Sequence, residues 1–133
     1  MYMLDTNICI YIIKKKPKSV LLKFESLPIG TVAMSLVTYG ELEFGALRSS
    51  NAKKALDILD EIAAYIPVLP MPIDAANEYA DIRANLSAKG RPIGNNDLWI
   101  AAHARSLGHT LVTNNVKEFE RVENLKIDNW VME

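Results

Sequence analysis

Short apolar runs alternate with segments of helical periodicity along the chain, and this alternation limits the fold more than any other feature. Residues 2–4 read as a short buried strand. Residues 31–35, β-branched at their start and bounded by Pro28 and Gly30, read as a second. Residues 66–69 read as a third, with Pro67 suiting an edge or a strand start. Residues 109–113 and 125–127 supply a fourth and a fifth. Between them lie helical patterns at 8–13, 17–27, 37–48, from Asn51 to about Ala64, from Asp74 to about Lys89, at 97–106 and at 115–120. In the second, Val20, Leu21, Phe24 and Leu27 share a face. In the fourth, Ala55, Ile58, Leu59 and Ile62 do so behind an Asn51 cap. Gly90 stops the fifth.

Strands separated by helices predict an α/β fold: a central, mostly parallel sheet of four to five strands with helices on both faces. The 133 residues suit one compact domain over the whole chain, and 50% hydrophobic with 23% charged residues is globular composition. No apolar run approaches the roughly 20 residues that span a bilayer, and Asp5 interrupts the N-terminus too early for a signal peptide. Cys9, the only cysteine, stands among Ile8, Ile10 and Tyr11 and reads as a buried structural thiol, which fits a reducing cytoplasm.

A net charge of -1 lends no global support to nucleic-acid binding. Local charge offers two places, Lys14-Lys15-Lys16 with Lys18, and the stretch from Arg83 through Lys89 to Arg91. Taken alone, each reads more readily as a solvated helix face or loop than as a binding site.

In a parallel sheet, function gathers beyond the carboxyl ends of the strands. Acids stand there. Asp5 follows the first strand, Glu41 lies early in the helix after the second, and Asp97 begins the helix before the fourth. Asn114, Asn115 and Glu118 follow that strand. Gathered carboxylates repel one another unless a cation neutralises them, and hard oxygen donors suit Mg²⁺ or Mn²⁺ rather than zinc. Such an ion polarises a phosphodiester and activates water without a histidine base. With only His103 and His109 present, a two-histidine ribonuclease is poorly supported.

Each acid also has a local use. Asp5 suits the cap of the next helix, and Asp97 in a first turn favours the helix dipole behind an Asn96 cap. Asn115 and Glu118 have the spacing of a capping box. Gly45, one turn after Glu41, either opens space beside the carboxylate or lets helices pack closely. A strand followed by an aspartate also begins phosphatases of the haloacid-dehalogenase class, but their motif wants a second aspartate where this chain has Asn7.

The opening Met3-Leu4-Asp5-Thr6-Asn7 resembles the start of VapC-type PIN domains. So do Glu41-Leu42-Glu43-Phe44-Gly45-Ala46, the long run from Gly90-Arg91-Pro92-Ile93-Gly94-Asn95-Asn96-Asp97-Leu98-Trp99 to Ala104, and Val112-Thr113-Asn114-Asn115-Val116-Lys117-Glu118-Phe119. The four pieces stand in family order over essentially the whole chain.

The resemblance implies a PIN-like fold and Mg²⁺- or Mn²⁺-dependent endonucleolytic cleavage of RNA. It implies Asp5, Glu41 and Asp97 as catalytic, metal-binding acids. Where many PIN domains carry a fourth acid, this chain has Asn115, with Glu118 three residues on, implying a weaker or water-mediated fourth contribution. Thr6, Thr113 and Asn115 are implied as orienting groups behind the acids. Separately from the resemblance, Arg83, Lys89 and Arg91 flank the loop into Asp97 and are expected as phosphate contacts, with Lys14–Lys18 a weaker candidate for the same task. The family further implies a homodimer and a VapB antitoxin whose tail crosses the acidic groove. The run 90–104 is most similar to enteric VapC toxins, implying initiator tRNA, cut in the anticodon loop, as substrate. The departure at Asn115 leaves a second reading: a PIN fold that binds RNA or antitoxin without cutting.

Overall fold

The computed structural model describes residues 1–132. Its strands are β1 (Tyr2–Leu4), β2 (Val32–Ser35), β3 (Val68–Leu69), β4 (Thr110–Val112) and β5 (Ile127–Asp128). Its helices are α1 (Thr6–Lys14), α2 (Lys18–Ser26), α3 (Leu36–Leu47), α4 (Ala52–Tyr65), α5 (Asp74–Ala88), α6 (Asn95–Leu107) and α7 (Val116–Phe119). The strands form one sheet in the order β3-β2-β1-β4-β5. Every pair is parallel, with Met3 opposite Ala33 on one side and Leu111 on the other.

The period-two alternation of the strands builds two cores. Met3 and Leu111 point into one, formed with Ile82 and Leu86 of α5, with Leu98, Ile100 and Ala101 of α6, and with Phe119. Leu4, Met34 and Val112 point into the other, with Ile8, Cys9 and Ile12 of α1, Val20, Leu42 and Leu59. Met3 and Leu4 are each fully buried, which stabilises the fold by roughly 1.5–3 kcal/mol per side chain. Ala101, Ala102 and Ala104 are also fully buried and let α6 lie close against the sheet. Cys9 is buried, and burial, with Asp5 next in weight, holds its thiol far above the ordinary range, as a structural thiol requires.

Strand order reverses at β1. The chain leaves β1 toward β2 and β3, then returns to place β4 on the other side of β1. The crevice beyond the carboxyl ends of β1 and β4 is therefore a topological switch point, the position where open α/β sheets bind ligands.

Three local expectations change. Helix α1 starts at Thr6 rather than residue 8, because the Asp5 side chain accepts the Ile8 N–H at 2.9 Å and caps it. Helix α6 starts at Asn95, two residues before Asp97. Its first carbonyl is that of Gly94, which accepts the Leu98 N–H at 2.9 Å. Asn96 is thus inside the first turn and is not a cap. The Asn115–Glu118 capping box does not form either, since the Asn115 side chain caps no N–H of α7. Asn51, by contrast, does cap α4, accepting the Lys54 N–H at 3.2 Å.

Candidate active site

Asp5 stands on the switch point because β1 ends there and α1 needs a cap. The same carboxylate that starts the helix faces the crevice beyond β4. Glu41 arrives from the first turns of α3, after β2, and Asp97 from the first turn of α6. Asp5, Thr6, Asn7, Glu41, Asp97, Asn115 and Phe119 line one cavity of about 130 Å³. Acids that stand 36 and 56 residues apart along the chain thus meet in one place.

Hydrogen bonds aim these side chains. Thr6 Oγ1 donates to Glu41 Oε1 at 2.6 Å, and Asn96 Nδ2 donates to Glu41 Oε2 at 3.3 Å. Glu41 is therefore held from α1 and from α6 at once. Thr113 is fully buried, and its hydroxyl accepts the Asn115 N–H at 2.9 Å. That leaves the Thr113 proton for Asp5, which it hydrogen-bonds. Glu118 Oε1 accepts the Gly94 N–H at 3.1 Å, and Oε2 accepts the Asn115 amide. Glu118 thus ties α7 to the loop that launches α6. Arg121 Nη1 adds a second tie, donating to the Pro92 carbonyl at 3.2 Å.

The electrostatics report the crowding. Burial raises the Asp5 carboxyl, and the Glu41 charge pushes the same way. Hydrogen bonds from Thr113 and Ile8 pull in the opposite direction without prevailing. Asp97 is pushed up to about 7, first by burial and then by Glu118, Glu41 and Asp5. Partial burial raises Glu118, but the Gly94 N–H, the Asn115 amide and the contact with Asp97 outweigh it and hold this carboxyl below its ordinary value. Four acids thus share one negative field.

A divalent cation fits the chemistry of this pocket. The donors are oxygens, the charge is uncompensated, and no basic side chain lines the cavity. Among the described residues, no group of three or more His, Cys, Asp and Glu side chains is placed so as to hold a metal ion by itself.

The basic candidates lie elsewhere. Arg83 Nη1 donates to the Tyr79 hydroxyl at 2.6 Å, beside a Tyr79–Trp99 stack with centroids 3.9 Å apart. Lys89 pairs with Glu123 at 2.7 Å, and Arg91 projects to solvent. None of the three lines the acid cavity. Lys14 comes nearer: with Ile10, Leu42, Gly45 and Ile58 it lines a mainly apolar groove of about 350 Å³ that reaches Glu41. A Cβ on Gly45 would meet nothing within 4 Å. The open-space reading of this glycine therefore stands, and the close-packing one does not.

Sequence reasoning missed Thr38 and the bond made by Asn96. Thr38 is fully buried, with its hydroxyl 3.3 Å from that of Thr6. Its position one helical turn before Glu41 was the available signal. Asn96 was assigned to a cap because the start of α6 was placed two residues late.

Comparison with known proteins gives the family. The PIN domain profile matches residues 2–125. Ribonuclease VapC2 of Haemophilus influenzae is 42% identical over 130 residues, covering 98% of each chain. The tRNA(fMet)-specific endonuclease VapC of Shigella flexneri is 45% identical over 129 residues, covering 97% of each. Among solved structures, VapBC2 from Rickettsia felis, bound to a DNA fragment from its promoter, superposes with a TM-score of 0.91 at 40% identity and 98% coverage of both chains. The haloacid-dehalogenase alternative falls away. With the family model, the fold and the near full-length relatives in agreement, the chain belongs to the PIN-domain family and to its VapC ribonuclease branch.

Proposed function

We propose that this chain is a toxin of a toxin–antitoxin pair, an endoribonuclease that uses Mg²⁺ or Mn²⁺ held by Asp5, Glu41 and Asp97. The observation that carries the reading is the convergence of these three acids on one cavity at the switch point of the sheet. When bound, the ion supplies charge stabilisation to the phosphodiester and makes a water more acidic. The protein's part is positional. Thr6 and Asn96 fix the Glu41 carboxylate, Thr113 fixes Asp5, and Glu118 with Asn115 fixes the loop that presents Asp97. Both Glu118 oxygens are already engaged, which favours an orienting role, or one exerted through a bound water, over direct ligation.

The substrate we infer is initiator tRNA, cut in the anticodon loop, with arrest of translation and growth as the result. Support comes from the Shigella relative, which is named for tRNA(fMet). A VapB antitoxin is the inferred inhibitor, since the similar solved structures are VapBC complexes. A homodimer in the cytoplasm completes the reading. Among the described residues, no helix is long and apolar enough to cross a membrane. Arg83, Lys89 and Arg91 are proposed as phosphate contacts outside the acid cavity, with Lys14 the basic side chain nearest to it.

The test is brief expression of the wild type and of Asp5→Asn, Glu41→Gln and Asp97→Asn, followed by mapping of new RNA 5′ ends. One cut in initiator tRNA, absent from all three variants and abolished in vitro by a chelator, is the expected result. Purified wild type that binds RNA with Mg²⁺ or Mn²⁺ present, yet cuts none, would establish the non-catalytic binding module instead.

A further inference from the structure

His103 and Ser35 are both fully buried, and no step of the proposed chemistry uses either. His103 Nδ1 lies 2.9 Å from Ser35 Oγ. Ser35 ends β2 and caps α3, and its Oγ accepts the Val37 N–H at 3.1 Å. The serine hydroxyl has one proton to donate and a second lone pair with which to accept, so the contact forms with His103 Nδ1 as acceptor in one tautomer and as donor in the other. The other ring nitrogen, Nε2, is buried with no hydrogen-bond partner, near the Pro70 carbonyl just after β3.

Two hydrogen bonds thus join α3 to α6. Asn96 meets Glu41, and His103 meets Ser35. The contacts are seven residues apart on α6 and six apart from Ser35, the cap of α3, to Glu41 within it, in opposite chain directions. At a rise of about 1.5 Å per residue, the spacings are roughly 10 Å and 9 Å, so both contacts are satisfied by one antiparallel setting of the helices. The Asn96–Glu41 contact is exposed and long. The His103–Ser35 contact is dry and short, and so fixes the setting of the pair.

We propose that the buried Ser35–His103 hydrogen bond is a positioning device that sets α3 against α6, and through them Glu41 against Asp97, at the separation a divalent ion requires. The proposal rests on the metal-site reading given above. His103 touches neither substrate nor ion. It acts through the two acid-bearing helices.

The test is Mn²⁺ binding to the whole chain without RNA, followed by electron paramagnetic resonance, with a thermal melt of each variant. His103→Leu keeps the bulk and removes the hydrogen-bonding ring nitrogen. His103→Asn restores a polar group near the Nδ1 position. Ser35→Ala removes the hydroxyl from the other side. We expect His103→Leu and Ser35→Ala to weaken Mn²⁺ binding by about tenfold, the scale seen when groups that orient metal ligands are lost. His103→Asn should recover most of the affinity. In cleavage assays, His103→Leu should raise the metal concentration needed for half activity and leave the KM for RNA at saturating metal unchanged.

Wild-type affinity in a folded His103→Leu overturns the proposal, as does equal weakening by Leu and Asn, which would make the role one of packing. If His103→Leu does not fold, Ser35→Ala decides alone, and undiminished Mn²⁺ binding in it is the overturning result. Failure of the underlying reading looks different: Mn²⁺ would then bind the Asp97→Asn protein as tightly as the wild type.

Discussion

Thr6 Oγ1 and Glu41 Oε1 are 2.6 Å apart, the first residue of α1 holding an acid on α3. A charge-assisted hydrogen bond of this length fixes a flexible carboxylate in one rotamer. Thr6→Val keeps the shape and removes the donor. It should lower kcat by about tenfold and raise the half-saturating Mg²⁺ concentration, with the fold intact. Steady-state cleavage across a Mg²⁺ series checks this. Unchanged metal dependence would show that Glu41 needs no such partner.

Asp5 has two tasks that substitution can separate. Its Oδ1 caps α1, and its charge contributes to the acid cavity. Asp5→Asn keeps an acceptor for the Ile8 N–H, whereas Asp5→Ala does not. Both should abolish cleavage, but only the alanine variant should lose the cap, worth about 1 kcal/mol. Denaturant unfolding of the two variants measures the difference, and equal stability would contradict the capping role.

The ion-free protein should be less stable at neutral pH than in mild acid. Asp97 titrates at about 7 in the folded chain, first because of burial and then because of Glu118, Glu41 and Asp5. An unfolded aspartate titrates at about 3.9. The folded state therefore binds this proton more tightly. The stability that comes with it is full below about pH 4 and is lost as pH rises through about 7. Asp5 shifts in the same direction and Glu118 in the other. Melting temperatures in chelator should fall between about pH 5 and about pH 8, by less in Asp97→Asn. Added Mg²⁺ should raise the wild-type value at the upper pH, and a metal-insensitive melt there would count against the cation site.

Gly45 and Lys14 test the groove beside Glu41. A methyl group at Gly45 meets nothing within 4 Å. Gly45→Ala should therefore stabilise the protein by up to about 1 kcal/mol, through helix propensity alone. A loss of stability on thermal melting would show hidden packing at that position.

Charge reversal separates the two basic regions. Lys14→Glu, in the groove that reaches Glu41, should weaken RNA binding and flatten its salt dependence by about one unit of slope. Lys89→Glu, whose amine is already paired with Glu123, should do less. Filter binding over a salt series distinguishes them, and a larger effect at Lys89 would reverse the assignment.

The strands and the three principal acids were legible because both are written locally. Apolar alternation marks a strand, and the residue after its last apolar position falls at the edge of the sheet. Asp5 could be found in this way, Glu41 from its place early in the helix after β2, and Asp97 from the helix before β4. What escaped were contacts between elements remote in sequence. Asn96 reaches Glu41 only because Gly94, not Asn96, stands at the start of α6, a shift of two residues that periodicity does not resolve. The Asn115–Glu118 pair has the spacing of a capping box, but the Gly94 N–H captures the Glu118 carboxylate from another loop. The phosphate-contact assignment of Arg83, Lys89 and Arg91 followed proximity in sequence to Asp97. The structure adds that Arg83 bonds the Tyr79 hydroxyl and that the half-exposed Lys89 pairs with Glu123, and the phosphate-contact role stays a proposal.

The outermost strands, β3 and β5, are two residues long. A margin that brief cannot template a visiting strand, since it offers too few free backbone groups to hold an extended peptide in register. Short margins of this kind favour recognition of a companion chain through side chains rather than through added backbone pairing, so a substitution at the surface can alter specificity without disturbing the ladder that holds the molecule together.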